Sequence, residues 1–181
     1  MHINIKENTN VTIEHHPHHK SLNEKLLEYM DGVTTQNMDE LALTENANVY
    51  VKAKVLSLYN PTSSVKLLTQ WITSILFNDY PWMMQRGYKL FFSNLWFANY
   101  KKGEYTTSHN HLPFAFSFVY FIRCPKGSSP MVFTTSGKRV KAEEGKVIIF
   151  PGNVLHHVPK TRSDGRVIMA GNINLWTGDL S

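Results

Sequence analysis

The sequence holds one cysteine, Cys124, among 181 residues. A lone thiol cannot close an internal disulfide, so nothing in the chain requires an oxidising compartment. Long apolar runs are also missing. None reaches the roughly 18 residues that a membrane-spanning helix needs, so no membrane span is expected. No apolar run follows Met1-His2-Ile3-Asn4-Ile5-Lys6-Glu7-Asn8, so a secretory leader is not expected, and the expected location is cytoplasmic. There is no internal repeat, no low-complexity linker and no basic stripe, and nucleic acid is therefore not an expected partner. Acidic residues are scarce in the second half. Residues 101–181 carry 11 Lys/Arg against 5 Asp/Glu, whereas residues 1–100 carry 8 against 9. That excess is mostly a solvated surface, with an anion-attracting site as the sharper reading.

What is present is an ordinary globular composition, 42% hydrophobic and 18% charged. The length suits one domain with a substantial core. Ile3/Ile5 and Val11/Ile13 flank the turn-like Glu7-Asn8-Thr9-Asn10, which predicts a hairpin over residues 2–13. Leu22, Leu26 and Leu27 after Ser21 predict a helix over 21–29. Val49, Val51, Ala53 and Val55 alternate and predict a strand over 48–58. Leu68, Trp71, Ile72, Ile75 and Leu76 fall at helical spacing over 64–78, behind the start signal Pro61-Thr62-Ser63-Ser64.

From about residue 88 the texture changes. Strand-like runs at 89–99, 114–123, 130–134, 146–150, 154–158 and 166–176 are punctuated by glycine and proline. The expected class is α+β, mainly β. Residues 1–87 form mostly helical support, and residues 88–181 form a β-sandwich or barrel in the same domain.

Four residues of the β-rich half carry the chemistry: His109, His111, His156 and Arg166. His109 and His111 stand at i, i+2, so an extended strand points both imidazoles to one face. His156 comes 47 residues later, after Val147-Ile148-Ile149-Phe150-Pro151. Its neighbour His157 cannot face the same pocket, since adjacent strand residues point to opposite faces, and the pattern Leu155-His156-x-Val158-Pro159 favours His156. Three ligands on one face leave open positions on a metal ion, and imidazole suits iron, zinc, copper or nickel alike. Arg166 follows His156 by ten residues. Deep in a barrel a guanidinium needs an anion, and its fork matches a carboxylate. Read singly, these residues are ordinary surface side chains, and their joint spacing singles them out. His15, His16, His18 and His19 around Pro17 read as a solvated loop, and Cys124 as a small buried hydrophobe.

Residues 96–175 resemble the iron(II)- and 2-oxoglutarate-dependent oxygenases of the prolyl-hydroxylase-like group, above all their short phage and marine-bacterial members. The resemblance rests on Trp96-Phe97-Ala98-Asn99-Tyr100, His109-Asn110-His111, Glu144-Gly145 through Phe150-Pro151, Val154-Leu155-His156-His157-Val158-Pro159, and Gly165-Arg166 through Asn172. It implies a double-stranded β-helix (jelly-roll, cupin-like) buttressed by N-terminal helices. It implies iron(II) on His109, His111 and His156, with no catalytic residue beyond these ligands. It implies 2-oxoglutarate held by Arg166, with Tyr100, Tyr120 and Asn172 beside it, and Trp96 in the substrate pocket. Dioxygen is the second co-substrate, and ascorbate a stimulant. The substrate is a protein, a peptide or a small molecule, with peptidyl proline ranked first, acted on inside a cell or a phage-infected host. Three positions depart from the pattern. His111 replaces the usual carboxylate, Phe121 stands where a second tyrosine is common, and Ile168 stands where a serine pairs with the arginine. The rival readings are a three-His cupin dioxygenase that does not use 2-oxoglutarate, and a non-catalytic metal-binding jelly-roll.

Overall fold

In the strand Arg166–Trp176 the residues of both parities are buried over its first eight positions. A strand of that kind must be covered on both faces. The computed structural model, which describes residues 8–36, 51–52, 54–58 and 62–177, shows what covers it. In chain order the elements are β1 (Thr12–His15), α1 (His19–Gln36), β2 (Val51–Lys52), β3 (Lys54–Leu58), α2 (Ser63–Asp79) and α3 (Pro81–Gln85). Then follow β4 (Lys89–Tyr100), β5 (Tyr105–His109), β6 (Phe116–Arg123), β7 (Met131–Phe133), β8 (Arg139–Val140), β9 (Lys146–Pro151), β10 (His156–Val158) and β11 (Arg166–Trp176).

The strands make two antiparallel sheets. One has six strands in the order β1-β9-β6-β11-β4-β3, and the other five in the order β2-β5-β10-β7-β8. Helix α2 buries Val65, Leu68, Ile72, Ile75 and Leu76 at helical spacing, and α1 buries Leu22, Leu26 and Met30. Both press on one face of the six-stranded sheet, against Phe97, Phe118, Tyr120, Val147 and Met169. The opposite face packs on the five-stranded sheet through Phe121, Ile148, Phe150 and Ile168, which meet Met131, Phe133 and Val158. This is a double-stranded β-helix with helices on one side, the class expected. Among the described residues no helix is long and apolar enough to cross a membrane.

Several details differ from expectation. Helix α1 runs longer than 21–29. The strands β2 and β3 occupy the predicted 48–58 region and join opposite sheets, so residues before 88 supply edge strands as well as helices. Of the predicted hairpin, β1 pairs with β9, and the arm at residues 3–5 lies outside the described residues. The four-histidine segment makes the turn from β1 into α1, where the His16 ring packs edge-on to Trp71 at 4.7 Å. Two strands were not expected, β5 and β8. The β5 residues Tyr105-Thr106-Thr107-Ser108-His109 have no apolar alternation to announce them. Their inward positions are filled by polar groups because they line a site, not a core.

Candidate metal centre

The side chain of Thr106 and that of His109 both point inward from β5, although three residues apart. A register shift against β10 makes this possible, with His156 opposite His109 and Val158 opposite Thr106. The pairing sets His109 and His156 side by side, with ring centroids 4.3 Å apart. His111 arrives differently from the i, i+2 strand argument. Strand β5 ends at His109, and His111 stands in the following turn. Its backbone N–H donates to the Gly152 carbonyl at 2.6 Å, and its carbonyl accepts from the Phe114 N–H at 2.9 Å. Its ring then stacks between His156, at 5.1 Å and 16°, and Trp96, at 6.1 Å and 28°.

The result is three imidazoles whose ligand atoms lie within 4.8 Å of one another, the one such group among the described residues. The Nε2 atoms of His111 and His156 stand 3.4 Å apart. Hydrogen bonds to the outer nitrogens set the tautomers. His109 Nδ1 donates to the Thr107 carbonyl at 2.8 Å, and His156 Nδ1 to the Val154 carbonyl at 3.1 Å. A ring whose Nδ1 carries the proton offers its Nε2 lone pair to a metal. Burial lowers all three basicities, that of His111 to about 4 and that of His156 to about 3. Burial thus favours the neutral form of each ring, which is the state that ligates.

Gly152 holds the His111 turn in place. A Cβ at this position would run into the Phe114 carbonyl oxygen, a backbone atom that no rotamer change can move. Gly152→Ala is therefore expected to destabilise the fold by about 1–3 kcal/mol and to weaken divalent metal binding, since the turn must shift. A melting curve with a Co(II) titration checks this. A variant that melts and binds as the parent does would show that the close approach is dispensable.

Arg166 opens β11 opposite Tyr100 of β4. It is 1% exposed. Its Nε donates to the Ser129 carbonyl at 3.2 Å, and its guanidinium lies 4.6 Å over the Tyr100 ring and 5.3 Å from that of Phe121. The Tyr100 hydroxyl shares a 2.7 Å hydrogen bond with Thr106. Burial lowers the basicity of Arg166, with Tyr100 opposing. Arg166 Nη1 is buried without a hydrogen-bond partner, and no carboxylate among the described residues pairs with it. A buried cation with a free donor is costly, and an anion offsets that cost.

One cavity between the sheets joins both ends. Trp96, Tyr100, Thr106, His109, His111, His156 and Arg166 line it with apolar walls from Val119, Met131, Val158, Ile168 and Ala170. Trp96 and Tyr100 both line this cavity. Tyr120 does not, and its expected place beside 2-oxoglutarate is corrected. On β6 the even residues Phe116, Phe118, Tyr120 and Ile122 belong to the helix-side core, although Phe118 also borders the cavity. The Tyr120 hydroxyl donates to Asn23 of α1 at 2.8 Å. Asn172 lies on the inner face, but its neighbours are Ser117, which donates to its Oδ1 at 2.8 Å, and the His111 ring. It is thus not among the residues that line the cavity with Arg166. Cys124 is partly buried, and burial pushes its thiol up to about 12, so it is no ready thiolate. Sequence reasoning missed Thr106. The only signal was a threonine-rich run of β-formers just before His109.

No protein-family model matches the sequence, and a comparison with curated proteins finds no relative. Solved structures do match. A viral collagen prolyl hydroxylase from Paramecium bursaria Chlorella virus-1, solved with 2OG, superposes with a TM-score of 0.68 at 15% identity, covering 90% of this chain and 94% of that one. This chain shares their fold. A Pseudomonas putida prolyl-4-hydroxylase gives 0.66 at 14% identity, covering 92% of each chain. A Trichoplax adhaerens prolyl hydroxylase, in complex with a hypoxia inducible factor peptide fragment, gives 0.65 at 12% identity over 91% of this chain and 83% of that one. At such low identity the shared property is the double-stranded β-helix. Activity must be argued from the side chains.

Proposed function

We propose that this protein is an iron(II)- and 2-oxoglutarate-dependent dioxygenase that hydroxylates a C–H bond of its substrate, with peptidyl proline ranked first. The observation that carries the reading is the orphan Nη1 of Arg166, a buried cationic donor in the same cavity as three neutral imidazoles. Thr106 touches the Tyr100 hydroxyl beneath Arg166, and His109 lies three residues further along β5. At about 3.3 Å per residue that separation is about 10 Å. A five-carbon dicarboxylate fits such a span, ion-paired at one end and metal-bound at the other. The neighbouring structures named above, one solved with 2OG and one with a peptide, agree with the co-substrate and the substrate class.

His109, His111 and His156 would hold iron(II), an ion that imidazole ligands suit. With keto acid and dioxygen supplied, the metal provides C–H hydroxylation coupled to decarboxylation of 2-oxoglutarate to succinate. The chain's own residues do the rest. Arg166 fixes the distal carboxylate, and Tyr100 and Thr106 brace that end. Ile168, Ala170, Val119 and Val158 keep water from the cavity. Trp96, stacked on His111, borders the space beside the metal.

The all-histidine donor set favours one second reading, a cupin dioxygenase that does not use 2-oxoglutarate. The two separate under nitrogen. The iron-loaded protein is expected to develop a visible metal-to-keto-acid charge-transfer band on adding 2-oxoglutarate, and in air to form succinate faster with a proline-containing peptide. Iron binding without any such band would overturn the proposal in favour of the cupin reading.

A further inference from the structure

Of the three imidazoles, His111 alone stands outside a strand. β5 ends at His109, and the turn closed on Gly152 fixes the backbone of His111 but not the plane of its ring. Other rings lie against it. His109 stands 5.0 Å away at 68°, and Phe150 6.1 Å away at 55°, both too steep to make a parallel wall. Two rings run nearly parallel to it. One is His156, itself a candidate ligand, at 5.1 Å and 16°. The other is Trp96, at 6.1 Å and 28°. Both separations lie within the range of offset-stacked aromatic pairs. Among the described residues, Trp96 is therefore the one near-parallel neighbour of His111 that is not a candidate ligand. It is also well anchored. At this position β4 pairs on both sides, with Ser57 of β3 and with Ala170 of β11. The indole thus rises from the middle of a sheet, set before any metal arrives, and it lines the same cavity as His111.

We propose that Trp96 is the positioning residue for His111, its indole face holding the imidazole plane so that Nε2 stays turned toward the other two ligands. A ring on a turn can swing about its side-chain torsions, and each swing carries the nitrogen away from the shared point. A flat wall beside it removes part of that freedom. The stack also strengthens when a metal binds. A divalent ion draws charge from the imidazole it holds, and an electron-poor ring is attracted to the negative face of an indole. A carboxylate at position 111 has no ring face and gains nothing from such a wall. This role is separate from bordering the substrate space. It rests on the metal-centre reading, and the two fail differently in the test.

Co(II) is titrated into the metal-free full chain, and affinity and ligand-field absorption are followed with no turnover required. Trp96→Leu fills much of the space without a ring face. It is expected to weaken Co(II) binding about tenfold, the upper end of what an aromatic pair contributes, and to alter the absorption. Trp96→Phe returns a ring face and is expected to bind within about threefold of the parent. In a His111→Asp background the Trp96→Leu effect is expected to fall within about twofold, the ordinary error of additivity. Parent-like binding by Trp96→Leu would overturn the proposal, and so would a phenylalanine variant no better than the leucine one. An equal loss in both backgrounds would overturn it too, leaving Trp96 a cavity wall only. Should Trp96→Leu fail to fold, near-UV circular dichroism carries the test. Co(II) is expected to change the tryptophan band of the parent and to leave that of His111→Asp nearly as it was, and equal changes in both would overturn the stack. A parent that binds no Co(II) at all would instead remove the metal centre, and this role with it.

Discussion

Alanine at either His109 or His156 is expected to abolish stoichiometric iron(II) binding, a loss of more than about a hundredfold in affinity, beyond what outer-shell changes cause. Each residue supplies one of three neutral donors, and two donors alone hold a divalent ion poorly. The neighbouring walls cannot replace them, because Val119, Phe150 and Val158 carry no ligand atom and Met131 offers only a soft thioether, a poor donor for iron(II). The fold is expected to persist. His109 and His156 pair through backbone bonds between β5 and β10, which alanine retains. Anaerobic iron titration with circular dichroism of each variant checks this. Full iron loading of either one, with an unchanged spectrum, would remove the metal-centre assignment. His111→Asp belongs to the same experiment. It is expected to retain iron, since a carboxylate at this position gives the commoner two-histidine, one-carboxylate set.

The second large effect concerns Arg166. Arg166→Gln is expected to weaken 2-oxoglutarate binding about tenfold to a hundredfold, the equivalent of about 1.5–3 kcal/mol for a charge-assisted pair. Iron affinity is expected to stay near that of the parent, because Arg166 is absent from the group of possible ligands. Arg166→Lys is expected to fall between, keeping the charge but losing the fork that can grip two oxygens. Apo stability is expected to change little or to rise with glutamine. The substitution removes a buried cation with an orphan Nη1, whose Nε rests on the Ser129 carbonyl. Titration of the keto-acid charge-transfer band under nitrogen, with melting curves of the metal-free variants, measures both quantities. A glutamine variant that binds 2-oxoglutarate as tightly as the parent would displace the carboxylate clamp from Arg166 while leaving the metal ligands in place.

Much of the site was legible because its residue types are expensive to bury without cause. His109, His111, His156 and Arg166 were identified from spacing and from the resemblance, and the structure brings all four to one cavity. Tyr100 was named from the resemblance alone, and it lines the same cavity. Tyr120 misled because β6 is apolar on both faces. Alternation then shows that Tyr120 and Phe121 point opposite ways without showing which points inward. The assignment is settled by Asn23, almost a hundred residues earlier, whose place in α1 gives the Tyr120 hydroxyl its partner. Thr106 was missed because the bulge that turns it inward depends on pairing with β10, a strand 50 residues away.

By itself the sequence determined the class of elements and the ligand types. The helical stripe of α2, the apolar strands β6, β9 and β11, and the histidines are local properties of residue type and period. Only the tertiary structure decided which face of each strand looks into the cavity, that His111 is placed by a turn closed on Gly152, and that Asn172 pairs with Ser117 instead of lining the cavity with Arg166. The physical reason is that these outcomes depend on strand register and bulges. Register is chosen by the joint burial of both sheet faces, against the helices on one side and the second sheet on the other, and no single segment carries that information.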